Sequence, residues 1–433
     1  MLTTTLDGFN AHNLGLVDPW DQTLLQAAQG QALAQTLAYA RTHSPWYGQH
    51  LAAIDTQKIN SLQDLAQLPL MDSQDVIDHG PQMLCVSQSK IKRVMTLHTS
   101  GSTGAPKRLY FTDHDLQRTK DFFFQGMGNL VDNSDRVLAL LPFDQPDNTG
   151  DLLIGSLNAH SIFCAGLWPP ISPPDLATFI IKENFTAVVG LPQHLLSLAE
   201  FLPPGQVQTM LLCSDYAPQA LRQRIEQTCG CRTFLHYGTT ETGLGGGVEC
   251  QAHAGCHWRQ ADLIIEIIDA HSGQVLPEGH LGEMVITTLN REAMPLIRYR
   301  TGDTAALATA PCSCGGYTAR IVNIAGRQKI YTLAPGLNLT SQLLDDTIFS
   351  VPGLWDYRAT LDCHQGQQRL SLDFLASPTN QPLSQDLGHA LQQIPVLVQA
   401  LNSGQLILGP LGQVPAFDPS HTIKRTINDQ RGA

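Results

Sequence analysis

Apolar residues recur at helical spacing from residue 20 to 52 (WDQTLLQAAQGQALAQTLAYARTHSPWYGQHL), and Pro45 breaks the run. Residues 61 to 78 continue with helix–turn patterns. IKRVMTLHT then alternates as a strand, a glycine-rich loop follows, and KRLYFT reads as a second strand. Thr112 and Asp115 supply a T-x-x-D capping-box start for the next helix. From Asp135 to Arg232 short apolar runs alternate with helical ones. RVLALLPF, SIFCAG, AVVGL, TMLLCS and RTFLHYG are predicted strands; DLATFIIKEN and APQALRQRIEQTCG are predicted helices. That alternation predicts an α/β fold with a largely parallel sheet flanked by helices. From Ala261 to Ala308 the period shifts. DLIIEIIDA, GEMVITTL and TAALAT read as strands parted by the turn signals HSG and PEG, a β-rich subdomain. A smaller α+β region follows Gly326. The pattern predicts a break between Arg327 and Lys329, giving a large domain 1–327 and a small domain 328–433.

Composition narrows the classes. A chain of 433 residues has room for about two or three domains. Hydrophobic residues at 42% and charged residues at 15% describe a globular protein. No apolar run reaches the ~20 residues of a membrane span. MLTTTLDGFNAHNLGL lacks the basic segment and apolar core of a secretory signal, so a cytoplasmic location is expected. A net charge of -12 with no cluster of Lys and Arg argues against a broad nucleic-acid surface, which needs concentrated positive charge. Ten cysteines in such a chain point to reduced thiols or metal ligands rather than disulfides.

Candidate chemistry begins at HTSGSTGAPKRLYFT, His98 to Thr112. It is not a Walker A loop. That motif needs G-x-x-x-x-G-K-[ST], but five residues on from Gly101 stands Pro106. Pro106 biases Ala105 towards extended backbone, so Lys107 leads into a strand and not a helix. What remains is a hairpin with hydroxyls at Thr99, Ser100, Ser102 and Thr103, and with Gly101 and Gly104 allowing close backbone approach. Such a loop can wrap a phosphate with N–H and hydroxyl donors. Composition alone fits an ordinary polar hairpin equally well.

T-S-G-S-T-G-x-P-K resembles the phosphate-binding loop of adenylate-forming enzymes, which activate carboxylic acids with ATP. Three further segments match in order: LHYGTTETG (235–243) the Y-G-x-T-E segment, IRYRTGD (297–303) the Y-R-T-G-D segment, and AGRQKIYTLAPGLNL (325–339) the G-R-x-D/K hinge with its G-x-N turn. SPWYGQHL, LAQLPLMDSQDV and GEMVITTLNREAMPLIRYRTGD are similar to the phenylacetate–CoA ligase branch. The likeness runs from residue 30 to the end.

The resemblance implies an AMP-forming ligase. A carboxylate attacks the α-phosphate of ATP, giving an acyl-adenylate and pyrophosphate, and the thiol of coenzyme A then takes the acyl group. It implies that Ser100, Gly101, Ser102, Thr103, Gly104 and Lys107 hold the β- and γ-phosphates. Tyr237 would stack on adenine within the nucleotide segment that includes Gly238 and Thr239. Thr240 would donate to the α-phosphate, Glu241 would bind Mg²⁺, and Asp303 would accept from the ribose hydroxyls with Arg327 nearby. Ser214 and Asp215 of CSDYAP stand where the family has a G-G/A-E-P-like segment near adenine, and depart from it. Lys329 occupies the hinge about which the C-terminal lid rotates. The family's terminal S-G-K-I-x-R reads SHTIKR here, so Thr422 stands at the position of the catalytic lysine. Lys424, two residues on, would share its face in an extended segment. A homodimer is also implied. The substrate expected is an aryl or similar apolar acid, although Asp144, Asp147 and Asp151 make one expected pocket segment polar. The rivals are transfer to a carrier protein or amine, disfavoured because no carrier domain follows, and a degenerate nucleotide-binding protein.

Cys250, His253, Cys256 and His257 cluster in ECQAHAGCHW, and Cys312 and Cys314 follow in PCSCGG. Thiolates with imidazole suit a closed tetrahedral Zn²⁺ site, and closing so long a segment points to a structural role. Small buried thiols are the alternative. Similarity to phenylacetate-ligase-like sequences, E-C…G-x-H then C-x-C-G, selects Cys250, His257, Cys312 and Cys314.

Overall fold

The computed structural model describes residues 4–18, 20–97, 106–327, 329–378, 383–416 and 425–432. Internal contacts divide the chain into two compact units. One joins Met1–Trp168 to Phe234–Arg327; the other joins Pro169–Thr233 to Gln328–Ala433. Both are mixed α/β.

In the first unit the β-rich stretch forms a continuous antiparallel run. Its order is Leu263–Ile268, Gly282–Thr288, Tyr299–Leu307, Arg320–Arg327, Cys256–Trp258, Gly247–Glu249 and the strand ending at Tyr237. The buried side chains of Trp258, Tyr299, Ile264 and Ile286 build its core. Strands Arg136–Leu140 and Phe163–Gly166 pair in parallel, with helix Thr149–Ala159 as their crossover. The N-terminal helix Thr5–Asn13 docks on the antiparallel run through one buried amide. Asn10 donates to the Trp258 carbonyl at 3.0 Å and accepts from the Ala261 N–H at 2.9 Å.

The hairpin around the glycine-rich loop pairs Arg93–Leu97 with Lys107–Phe111, placing Leu97 opposite Lys107. Alternation along the second strand puts Lys107 on the buried face with Leu109 and Phe111. Helix Asp113–Met127 follows with the expected capping box: Asp115 N–H donates to Thr112 Oγ1 at 3.2 Å, and Thr112 N–H to Asp115 at 3.0 Å. Asp115 also accepts from the backbone of Glu292 and Ala293, tying the helix start to a distant loop.

Three local expectations are revised. Pro45 separates two helices instead of ending the helical region: Gln22–His43 stops at Ser44, whose hydroxyl caps Pro45–His50. Proline fits that first-turn position because its missing N–H is not needed there. The strand expected at TAALAT begins five residues earlier, at Tyr299, and includes the Y-R-T-G-D segment. Gly247–Glu249 and Cys256–Trp258 are strands too short for alternation to reveal.

In the second unit Ala187–Gly190 and Thr209–Leu212 pair in parallel. A four-stranded sheet runs Leu406–Gln413, Gln367–Ala376, Leu354–His364 and Ile427–Asp429. No helix among the described residues is long and apolar enough to cross a membrane.

Candidate nucleotide and metal sites

Four strands of the first unit deliver a buried charged network. Glu241, just past the strand ending at Tyr237, is 1% exposed. Lys107 forms a buried ion pair with its Oε1. Arg327 Nη2 reaches the same oxygen at 2.9 Å, and the Tyr299 hydroxyl at 3.1 Å. Lys107 Nζ also donates to Tyr299 Oη at 3.0 Å. These side-chain donors therefore converge on one carboxylate oxygen. Burial works to raise the pKa of Glu241, but Lys107 and Arg327 outweigh it and hold the carboxyl well below the usual range.

Beside this centre the Tyr237 hydroxyl donates to Asp303 Oδ2 at 2.6 Å, and Arg327 Nε lies 3.7 Å from Asp303 Oδ1. Burial, with Asp303 next to it, pushes the Tyr237 phenol well above its ordinary pKa. The Tyr237 ring lies 6.0 Å from that of Trp258. Gly238 is required by sterics: a Cβ there would collide with the Leu244 carbonyl and the His236 ring. Thr239 organises the turn that carries Thr240 and Glu241. Its N–H donates to Thr242 Oγ1 at 3.0 Å, and its carbonyl accepts from Leu244 N–H at 2.8 Å. His236 lies near Phe122 and Phe123, and burial lowers its pKa to about 4, so the ring is neutral.

Of the residues singled out in sequence, Lys107, Tyr237, Gly238, Thr239, Thr240, Glu241, Asp303 and Arg327 fall in this one unit. Ser100, Gly101, Ser102, Thr103, Gly104 and Lys424 lie outside the described residues. Ser214, Asp215 and Lys329 belong to the second unit. There Asp215 is ion-paired with Arg425 at 3.2 Å, Ser214 takes a left-handed φ of 71°, and Lys329 Nζ sits 5.1 Å from the Tyr331 ring centroid. Tyr299 lies inside IRYRTGD, but nothing in the sequence marks it as part of the site, because a tyrosine in a strand carries no local sign of what its hydroxyl meets. The polar stretch 144–151 closes on itself: Asp151 accepts from the Asp147 N–H at 2.7 Å, and Asp144 from the Asn148 amide at 3.3 Å.

A second cluster gathers Cys250, His257, Cys312 and Cys314, whose donor atoms all lie within 4.8 Å of one another. Cys250 Sγ and Cys312 Sγ are 3.7 Å apart; Cys314 Sγ and His257 Nε2 are 3.4 Å apart. His257 Nδ1 meets Thr318 Oγ1 at 2.8 Å, which turns Nε2 towards the thiols. Burial lowers the His257 pKa to about 4, leaving a neutral imidazole. Asp7, fully buried, accepts from the N–H groups of Thr318 at 2.9 Å and Tyr317 at 3.1 Å. A Cβ on Gly316 would stand 2.5 Å from Asp7 Oδ2 and 3.1 Å from the His257 ring, so this turn needs glycine. Cys256 points instead to the Leu235 carbonyl at 3.6 Å, and His253 stacks on Phe234 with centroids 4.8 Å apart.

The family model described as AMP-binding enzyme matches residues 47–290, more than half of the chain. The phenylacetate–coenzyme A ligase of Thermus thermophilus is 28% identical over 349 residues, 76% of each chain. That of Escherichia coli is 26% identical over 352 residues, 75% of this chain and 76% of that one. Among solved structures, 2-hydroxyisobutyryl-CoA ligase in its postadenylation state shares the fold, with a TM-score of 0.78 at 18% identity over 94% of this chain and 90% of that one. The chain belongs to the AMP-binding enzyme family, the adenylate-forming superfamily, in its phenylacetate–CoA ligase-like branch.

The Lys107–Glu241 pair generates a stability prediction. Removing one partner of a buried pair costs about 3–5 kcal/mol, because the other is left uncompensated. Glu241→Gln is expected to lower urea-unfolding stability by about that amount, and Lys107→Met on top of it to restore at least about half. Additive losses in the double variant would show that the two charges do not stabilise each other.

Proposed function

We propose that the protein is an AMP-forming acid–CoA ligase. It activates a small carboxylic acid with ATP to an acyl-adenylate and passes the acyl group to coenzyme A. The observation that carries this reading is the convergence of Lys107, Tyr237, Glu241, Asp303 and Arg327, drawn from four separate motifs, on one network that is buried except at Arg327.

Phosphoryl chemistry of this kind needs positioning and charge compensation more than covalent help. Lys107 and Arg327 are placed to exchange a carboxylate partner for phosphate oxygens as the triphosphate enters. Asp303, already an acceptor for the Tyr237 hydroxyl, is suited to ribose hydroxyls. Thr240, in the turn before Glu241, is assigned to the α-phosphate. Glu241 gathers side-chain donors from Lys107, Tyr299 and Arg327, and its carboxylate is assigned to a hard cation. Mg²⁺ there would offset phosphate charge. Ser100 to Gly104 complete the phosphate loop in this reading, Lys424 reaches the reacting carboxylate, and Lys329 serves as the hinge of a mobile domain 328–433. Because Asp144 and Asp151 are engaged in their own turn, an aryl or similar apolar acid remains the preferred substrate class. The enzyme is further proposed to act in the cytoplasm as a homodimer.

The Cys250, His257, Cys312 and Cys314 cluster is assigned to a structural Zn²⁺. Tetrahedral zinc, with Zn–S about 2.3 Å and Zn–N about 2.0–2.1 Å, sets its ligands about 3.5–3.8 Å apart. Two of the separations, 3.7 and 3.4 Å, lie close to that spacing, and all four donor atoms fall within 4.8 Å of one another.

ATP–pyrophosphate exchange with phenylacetate, anthranilate and 2-hydroxyisobutyrate, with and without coenzyme A, tests the main reading. Exchange without coenzyme A, and a CoA thioester with it, are expected. Exchange without thioester would assign another acceptor, and no exchange with any acid would leave a nucleotide-binding protein. Metal analysis is expected to find one zinc per chain, with a lower melting temperature after chelation. Substoichiometric zinc with an unchanged melt would refute the metal assignment.

A further inference from the structure

The unit formed by Pro169–Thr233 and Gln328–Ala433 carries a pair of thiols that none of the roles above uses. Cys229 is the last residue of helix Gln219–Cys229, and Cys231 is the residue before strand Arg232–Tyr237. Their Sγ atoms stand 3.2 Å apart, closer than the 3.7 Å between Cys250 and Cys312. Cys229 Sγ also lies 3.3 Å from the Ile225 carbonyl. Cys229 is fully buried and Cys231 is 6% exposed. Gly230 between them and Arg232 after them are both exposed, so the pair lies directly beneath the surface.

The backbone holds the two sulfurs together. Gly230 takes a left-handed φ of 68°, which ends the helix and turns the chain between the thiols. Its N–H donates to the Glu226 carbonyl at 2.9 Å, the Cys229 carbonyl accepts from the Gly205 N–H at 3.0 Å, and the Arg232 N–H donates to the Gln208 carbonyl at 2.9 Å. The Glu226 carboxylate closes the turn, accepting from the Thr233 N–H at 3.0 Å and its hydroxyl at 2.6 Å. A disulfide needs an S–S distance of about 2.05 Å, so about 1.2 Å of approach separates the dithiol from the bond. Among the described residues no third metal-ligating side chain completes a set with these two, unlike the cluster around His257. The contact with Cys231 draws Cys229 below its ordinary pKa in spite of burial, whereas burial pushes Cys164 and Cys213 up to about 12. The thiolate is the nucleophile in oxidation, so the pair is set apart from the single buried thiols.

We propose that Cys229 and Cys231 form a reversible redox site, which hydrogen peroxide closes to a disulfide and a dithiol reductant reopens. One sulfur, as thiolate, attacks a peroxide oxygen. The O–O bond breaks, a sulfenic acid forms, and the leaving hydroxide takes up the proton that the thiol released, giving water. The second sulfur then loses its proton and attacks the sulfenic sulfur. The S–S bond forms as the S–O bond breaks, and hydroxide leaves with that proton as a second water. Two thiols and one hydrogen peroxide thus give one disulfide and two waters; the sulfurs are oxidised and the peroxide oxygens reduced. Because the second thiol is already in contact, it captures the sulfenic acid before another peroxide carries it to the irreversible sulfinic stage. Exchange with a dithiol restores both thiols.

Peptide mapping of the full-length parent protein tests the site without any variant. Trypsin cuts after Arg224 and Arg232 and releases IEQTCGCR, which holds these two cysteines and no other. The native protein is treated with hydrogen peroxide, its remaining thiols are blocked with N-ethylmaleimide in denaturant, and it is digested. The peptide is expected to be unblocked and about 2 Da lighter than the dithiol, while Cys164 and Cys213 are still recovered as blocked thiols. Dithiothreitol before blocking should return it to the doubly blocked form. In Cys231→Ser, loss of the Cys229 thiol should be at least about tenfold slower than in the parent. A doubly blocked peptide after the exposed Cys363 has been consumed, or a peptide that gains oxygen without losing 2 Da, would overturn the proposal. So would an unchanged rate in Cys231→Ser.

Discussion

The structure of the first unit depends on keeping one carboxylate charged where water cannot reach it. Left alone, a buried glutamate becomes neutral, because losing hydration costs more than the backbone returns. Glu241 stays ionised because Lys107 and Arg327 converge on it. Lys107 sits 134 residues before it and Arg327 86 residues after it. Lys107 is buried with it, whereas Arg327, with a half-exposed side chain, covers the network from the solvent side. The hairpin strand, the turn after Tyr237 and the strand Arg320–Arg327 therefore meet at one carboxylate. The same three charges are those that a metal-bound triphosphate would redistribute, so the requirement of the fold and that of the chemistry fall on the same atoms.

The thiol–imidazole cluster repeats this logic beside strand Cys256–Trp258, in the interior of the antiparallel run. Cys250 and Cys312 are brought to 3.7 Å across 62 residues of chain. Closing a loop of that length costs entropy that a tetrahedral metal would offset. Asp7 extends the constraint to the N-terminal helix by holding the backbone of Thr318, whose hydroxyl meets His257. The helix, the cluster and strand Cys256–Trp258 thus form one connected piece.

Much of this was legible in the chain. The hairpin strands and the Thr112 capping box follow from alternation and turn chemistry, which act over a few residues; that residues 169–233 group with those after Arg327 does not. The four cysteine and histidine positions could be chosen from similarity, and the structure gathers those four while Cys256 and His253 face elsewhere. Other features depend on contacts that no window along the chain contains. Asp7 meets Thr318 across 311 residues, and Arg425 meets Gln193 across 232. Tyr299 was in view inside its motif, yet its part in the Glu241 network depends on which way a strand turns one hydroxyl. Pro45 predicts a stop because proline breaks a helix from within; Ser44 makes it a start.

The central claim is that Glu241 joins the nucleotide's metal to this network, and calorimetry tests it directly. A non-hydrolysable ATP analogue would be titrated into the parent protein and into Glu241→Gln, with and without Mg²⁺. The account predicts that Mg²⁺ tightens binding in the parent and that this gain is largely lost in the variant while its fold persists. An equal gain from Mg²⁺ in both would contradict it.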